Sequence, residues 1–116
     1  MLVKLQAKPI DMNIIQVYAP TSDSTTEDLE DFYGAIEKAR KICKSQENTI
    51  ILGDFNAKVG EGRKGNIVGP FGLGDTNERG EALIEWAKQN DFIIGNTWFN
   101  VPKRRRWTWR SPGQTF

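Results

Sequence analysis

The sequence predicts an α/β (α+β) fold, one mixed sheet of about five to six strands with two main helices on one face. Three observations predict it. Ile50-Ile51-Leu52 continues apolar without alternation and stops at Gly53, as in a strand buried on both faces. Upstream, Met12-Asn13-Ile14-Ile15-Gln16-Val17-Tyr18 is rich in β-branched and apolar residues and reads as another strand. Between them Leu29, Phe32, Tyr33, Ile36, Ala39 and Cys43 repeat at helical spacing. Strand, helix, strand describes a βαβ unit with a right-handed crossover, which brings Tyr18 and Asp54 to the same edge of a parallel pair.

The chain begins with residues 2–8, which alternate and suit a strand or extended arm, and Pro9-Ile10-Asp11 is a turn signal joining it to the Met12 strand as a hairpin. Ala19-Pro20 stops that strand. Residues 21–26 are rich in cap residues, and Thr25 with Asp28, or Ser24 with Glu27, resembles a helix start. The helix is expected over residues 27–44, with Lys41 and Lys44 suiting its C-terminus. The apolar strand follows over residues 49–53. Residues 57–75 hold six glycines and a proline and read as a long flexible loop. Gly60, Gly62 and Gly65 lack the Gly-Lys-Ser/Thr ending and the following helix of a phosphate-binding loop. Asp75 with Glu78 can cap a second helix over residues 78–89, its face carrying Leu83, Ile84, Trp86 and Ala87 and its end marked by Asn90. Residues 92–94 suit a short buried strand, and residues 97–101 and 106–110 a hairpin around Pro102-Lys103-Arg104-Arg105.

Composition bounds the function classes. A chain of 116 residues, 38% hydrophobic with four tryptophans, can build one domain with a core, and no repeat or linker divides it. The formal charge of +1 gives no global pull on nucleic acid, so any such binding needs a local patch. The one cysteine, Cys43, excludes an intrachain disulfide framework and fits a reducing, intracellular compartment, nuclear or cytoplasmic. No apolar run approaches the about 20 residues that span a bilayer, so no membrane partner is expected.

Local chemistry singles out the end of the third strand. Two residues apart on an extended chain, Asp54 and Asn56 point the same way and Phe55 the other. A carboxylate and a carboxamide on one spot suit a hard cation, a phosphate oxygen or an oriented water. A strand end closed by an Asp/Asn turn, a common arrangement, has the same residues.

Val17-Tyr18-Ala19-Pro20, Gly53-Asp54-Phe55-Asn56 and Thr108-Trp109-Arg110-Ser111, in this order, resemble the endonuclease/exonuclease/phosphatase superfamily, and within it the endonuclease domains of RTE-type non-LTR retrotransposons. Asn77-Glu78-Arg79-Gly80 and Asn96-Thr97-Trp98-Phe99 support the match, which runs along nearly the whole chain. The resemblance implies a partial four-layer α/β-sandwich and a Mg²⁺-dependent phosphodiesterase site acting on DNA. By the same resemblance Tyr18 contacts the scissile phosphate, Asp54 orients or deprotonates the attacking water, and Asn56 helps stabilise the pentacovalent transition state. Thr108, Trp109 and Ser111 match the strand beside the nucleic-acid pocket. Such cleavage requires charge neutralisation on phosphate oxygens, a polarised water in line and a stabilised leaving group.

The family pattern also includes an Asn and a metal-binding Glu upstream, an Asp after the Trp109 strand and a distal Asp-His pair. No histidine occurs in the chain, and no residue in it is assigned as a metal ligand. The expectation is therefore an incomplete domain over residues 1–116, inert or nearly so by itself. The inner sheet face would then be left to another copy of the chain, giving a homodimer or larger assembly, with exchange of residues 2–8 or the C-terminal hairpin. Lys103, Arg104, Arg105, Arg106 and Arg110, interleaved with Trp107 and Trp109, form the expected nucleic-acid surface; an edge strand protected by charge has the same composition. Two alternatives to the nuclease fragment are a co-opted protein- or nucleic-acid-binding module and a phosphatase-like protein acting on small phosphoesters.

Overall fold

The computed structural model describes residues 1–21 and 23–106. The chain forms two compact units, Met1–Asn56 and a second that begins at Ala57. The expected second hairpin strand (residues 106–110) lies, apart from Arg106, outside the described residues, as do Trp107, Thr108, Trp109, Arg110 and Ser111.

In the first unit, β1 (Leu2–Leu5), β2 (Met12–Tyr18) and β3 (Asn48–Asp54) form one mixed sheet in the order β1-β2-β3. The β1–β2 pair is antiparallel, with Leu2 opposite Ile15 and Leu5 opposite Met12. β2 and β3 are parallel, from Met12 opposite Asn48 to Tyr18 opposite Asp54. Helix α1 (Thr26–Arg40) is the crossover between these two strands. It starts at a reciprocal capping box: the Asp28 N–H donates to Thr25 Oγ1 at 3.1 Å, and the Thr25 N–H to the Asp28 carboxylate at 3.2 Å.

Helix α1 ends at Arg40, short of the expected residue 44. The next N–H groups, of Ile42 and Cys43, reach back only three residues to Ala39 and Arg40, tightening the chain into turns. Cys43 thus lies past the helix, half-buried, its thiol donating to the Ala39 carbonyl at 3.6 Å.

Side chains alternate along β2, and Ile15 and Val17, which share a face, line a cavity together with Phe32, Ala35 and Ile36 of α1. Ile15, Ala19 and Ile36 are buried there. The other face carries Met12, Ile14 and Tyr18 with Ile50, Leu52 and Asp54. Ile50 and Leu52 remain 43% and 45% exposed, so β3 is not buried on both faces as its continuous apolar run predicts. Periodicity reports that a strand can be covered twice, not that two covers are present.

The second unit holds α2 (Glu78–Gln89), which coincides with the expected helix, and two short 3-10 turns, Gly95–Trp98 and Lys103–Arg105. Its N-cap is Asn77, not the expected Asp75; Asn77 Oδ1 accepts from Gly80 N at 2.8 Å. Leu83, Ile84 and Ala87 are buried with Val68, and Trp86 stacks on Phe92 at 5.4 Å. The strand expected over residues 92–94 reduces to one bridge between Val68 and Ile94, and a 3-10 turn replaces the start of the one at 97–101. The five to six strands expected are therefore three among the described residues. Side-chain bonds stand in for ladder bonds around the missing strands: Thr97 Oγ1 donates to Ile94 O at 2.6 Å and accepts from Gly69 N, 28 residues away in sequence, at 2.8 Å.

Residues 57–75 form the long loop expected, tied by hydrogen bonds to the start of α2. Lys58 exchanges bonds with Asn77 through its N–H (3.0 Å) and carbonyl (3.2 Å), and Gly60 N donates to Thr76 Oγ1 at 2.9 Å. Lys58 O lies so close to α2 that a Cβ on Gly80 would stand 1.8 Å from it.

Candidate functional site at the strand ends

Tyr18 and Asp54 are cross-strand partners at the carboxyl ends of parallel strands, where open α/β sheets place ligands. Even side-chain alternation puts both on the face away from α1, and both are exposed, Tyr18 to 75%. Gly53 makes this register possible. Its φ is +143°, and a Cβ there would stand 1.9 Å from the Val17 carbonyl. The ladder continues one step past the strands, with Ala19 N donating to Asp54 O at 2.7 Å.

Beyond Asp54 the extended geometry ends. Phe55 turns toward α1 and meets Phe32 edge-on at 6.0 Å, as alternation predicts. Asn56 does not continue the strand: its φ is +46°, a left-handed value that asparagine tolerates. Its N–H donates to Asp54 Oδ1 at 2.8 Å, and its Nδ2 donates to the carbonyl of the fully buried Ala19 at 2.7 Å. The three singled-out residues are therefore gathered in one place, with the carboxamide tied to the backbone of β2. The Ala19 carbonyl is a participant that sequence reasoning missed, since a backbone acceptor leaves no mark in residue type.

Mg²⁺ requires six oxygens in near-octahedral array, and proteins hold it through one or two carboxylates plus waters and phosphate oxygens. The strand ends offer one carboxylate, and one of its oxygens already accepts the Asn56 N–H. Among the described residues no three His, Cys, Asp or Glu side chains converge. One carboxylate with an uncommitted oxygen is the lower limit of such a donor set, and the remaining Mg²⁺ ligands would be waters and phosphate oxygens.

The basic segment divides by partner. Arg104 and Arg105 are exposed on the second 3-10 turn, and Lys103 pairs with Glu61 at 3.0 Å. Arg106 is half-buried: its Nε donates to Val101 O at 2.6 Å, its Nη1 to Gly72 O at 3.1 Å, and its guanidinium lies 5.8 Å from the Phe71 ring centre. Arg79, in the first turn of α2, is half-buried as well. Charge is segregated along the chain. Residues 57–116 hold ten lysines and arginines against six acids, whereas residues 1–56 hold six against nine.

Residues 12–115 match the family profile described as endonuclease-reverse transcriptase, and the chain belongs to that family, within the endonuclease/exonuclease/phosphatase superfamily. It is similar to craniofacial development protein 2 of Bos taurus, 42% identical over 110 residues that cover 95% of this chain and 19% of that protein. To the protein of the same name from Tragulus javanicus it is 39% identical over 114 residues, 98% of this chain and 20% of that protein. The chain thus spans about a fifth of the length of the curated relatives it matches. No solved structure matches it. Among the described residues no helix is long and apolar enough to cross a membrane.

Proposed function

We propose that this chain carries part of a DNA phosphodiesterase centre of the nuclease type and is inert, or nearly so, by itself. The observation that carries the reading is the Tyr18–Asp54 pair, side by side on one exposed face at the ends of β2 and β3. The Tyr18 phenol can donate to a phosphate oxygen without adding charge of its own. Asp54 keeps a second carboxylate oxygen that can hold a water against the phosphorus, and Asn56 closes the site beside it. In the family's metal-dependent chemistry, Mg²⁺ neutralises the phosphate and polarises water. Asp54 is the carboxylate at the strand ends that could hold such an ion, and the inert-chain reading rests on its standing alone there.

Plasmid nicking with Mg²⁺ or with EDTA, Asp54→Ala serving as control, tests the proposal. The expected result is no nicking, or equal nicking in the variant. Mg²⁺-dependent nicking that disappears in Asp54→Ala would overturn the inert-chain reading and mean that the centre is completed elsewhere, across a dimer for instance.

A second reading, a binding module, is favoured by the apolar strip of Leu5, Ile50 and Leu52, all more than two-fifths exposed on one sheet face. The second sheet of a four-layer sandwich would pack on such a face. This reading gives the strip to a second copy of the chain, so self-association belongs to it, as does DNA contact through Arg104, Arg105, Arg110, Thr108, Trp109 and Ser111. Light scattering that finds a stable monomer would rule out the association. The setting that suits both readings is intracellular, nuclear or cytoplasmic.

A further inference from the structure

The geometry points to Asn56 as a positioning residue: its carboxamide latches the turn after β3 to the end of β2, and the latched turn aims the Asp54 carboxylate. Three bonds meet within a few ångströms. Ala19 N donates to Asp54 O (2.7 Å), Asn56 Nδ2 donates to Ala19 O (2.7 Å), and Asn56 N donates to Asp54 Oδ1 (2.8 Å). Both backbone groups of Ala19 are thus taken by residues 54 and 56. Ala19 is fully buried, so its carbonyl needs a donor, and only the NH₂ side of the carboxamide can supply one.

Asp54 itself is exposed, and its carboxylate accepts the Asn56 N–H at 2.8 Å. Three staggered wells are open to such a side chain, and the Asn56 N–H selects one of them. That N–H stays in place only while residue 56 is held at its left-handed φ, which the bond to Ala19 enforces. This role acts through Asp54 and is separate from the transition-state role implied by family resemblance. It holds whether or not the chain cleaves a phosphodiester.

The alternative is that Asn56 is present only because asparagine accepts a positive φ. Glycine accepts it too, so Asn56→Gly keeps the turn accessible and removes the latch. The test is a two-dimensional amide NMR titration of the chain across about pH 2 to 7, without DNA or metal. In the parent chain the residue-56 amide proton should shift as Asp54 ionises, and the shift should vanish in Asp54→Asn. In Asn56→Gly the amplitude should fall to about a third, as the carboxylate spreads over three wells. Amide signals of α1 and β2 that keep their native positions establish that each variant is folded. Native amplitude in folded Asn56→Gly would overturn the proposal. Because no substrate enters the measurement, its failure is distinct from any failure of the phosphodiesterase reading.

Discussion

The carboxamide of Asn13, fully buried in β2, donates to the Glu47 carboxylate at 3.2 Å. The same Glu47 oxygen accepts the Lys44 N–H at 2.9 Å and the Lys4 ammonium at 3.3 Å, so β1, β2 and the turn before β3 converge on one acid. The Lys44 N–H, then the Asn13 amide and Lys4, favour the carboxylate and, against its partial desolvation, pull the Glu47 pKa from 4.5 to about 2.

A depressed folded-state pKa means that the unfolded chain binds the proton more readily. The stability that Glu47 contributes is therefore complete above its ordinary value of 4.5 and is lost as pH falls toward about 2. Urea titrations across that window should show the parent chain weakening. Glu47→Gln should start weaker near neutrality and close the gap as the medium becomes acidic. A gap that is constant with pH would exclude this linkage.

Three glycines should respond to alanine in different directions. Gly34, in α1, has nothing within 4 Å of an added Cβ, so Gly34→Ala should stabilise by up to about 1 kcal/mol. Gly80 also lies in a helix, but the Lys58 carbonyl stands 1.8 Å from its would-be Cβ, and Gly80→Ala should destabilise by about 1–3 kcal/mol. At Gly53 a positive φ adds to the 1.9 Å clash with Val17, and Gly53→Ala should cost at least about 2 kcal/mol and part the Tyr18 and Asp54 strand ends. Chemical denaturation of the three variants ranks them.

Neighbouring arginines should separate into binding and scaffold roles. Arg104→Ala and Arg105→Ala remove exposed charges and should leave stability within about 0.5 kcal/mol. Each should weaken duplex DNA binding and reduce the slope of log affinity against log salt by about 1. Arg106→Ala instead orphans the Val101 and Gly72 carbonyls and should destabilise by about 2 kcal/mol. Fluorescence anisotropy over a salt series, with denaturation alongside, separates the two effects.

Charge on the apolar strip should act on assembly before folding. Ile50→Lys and Leu52→Lys replace side chains already more than two-fifths exposed, so their folding cost should stay below about 1 kcal/mol. Light scattering at rising protein concentration should show less self-association in each than in the parent chain. Identical masses would remove this face from any interface.

Where local rules act alone, the sequence was legible: the Thr25–Asp28 capping box, the Met12–Tyr18 strand and the span of helix Glu78–Gln89 stand where spacing puts them, although Asn77 and not Asp75 caps that helix. So does the meeting of Tyr18 with Asp54, because a crossover of one hand and a period of two leave little choice. What failed depends on partners. Residues 92–94 have strand composition but acquire only the Ile94 bridge, and Ile50 lacks a cover that its apolarity anticipates. Not every glycine of residues 57–75 marks freedom: Gly62, Gly65 and Gly74 have positive φ and open space, whereas others do not. At Gly60 and Gly72 a Cβ would stand 2.5 and 2.0 Å from neighbouring carbonyls, so these glycines mark close backbone approach rather than mobility. Glycine alone does not say which.

The alternation that sets Asp54 beside Tyr18 also dictates where this chain can change length over evolutionary time. One residue inserted or deleted within Asn48–Asp54 would carry the acid to the α1 side and separate it from the phenol without altering either residue. Lineages should therefore conserve the length of β3 more strictly than its composition. Length variants should gather instead at Gly62 and Gly65, where an added atom meets nothing within 4 Å.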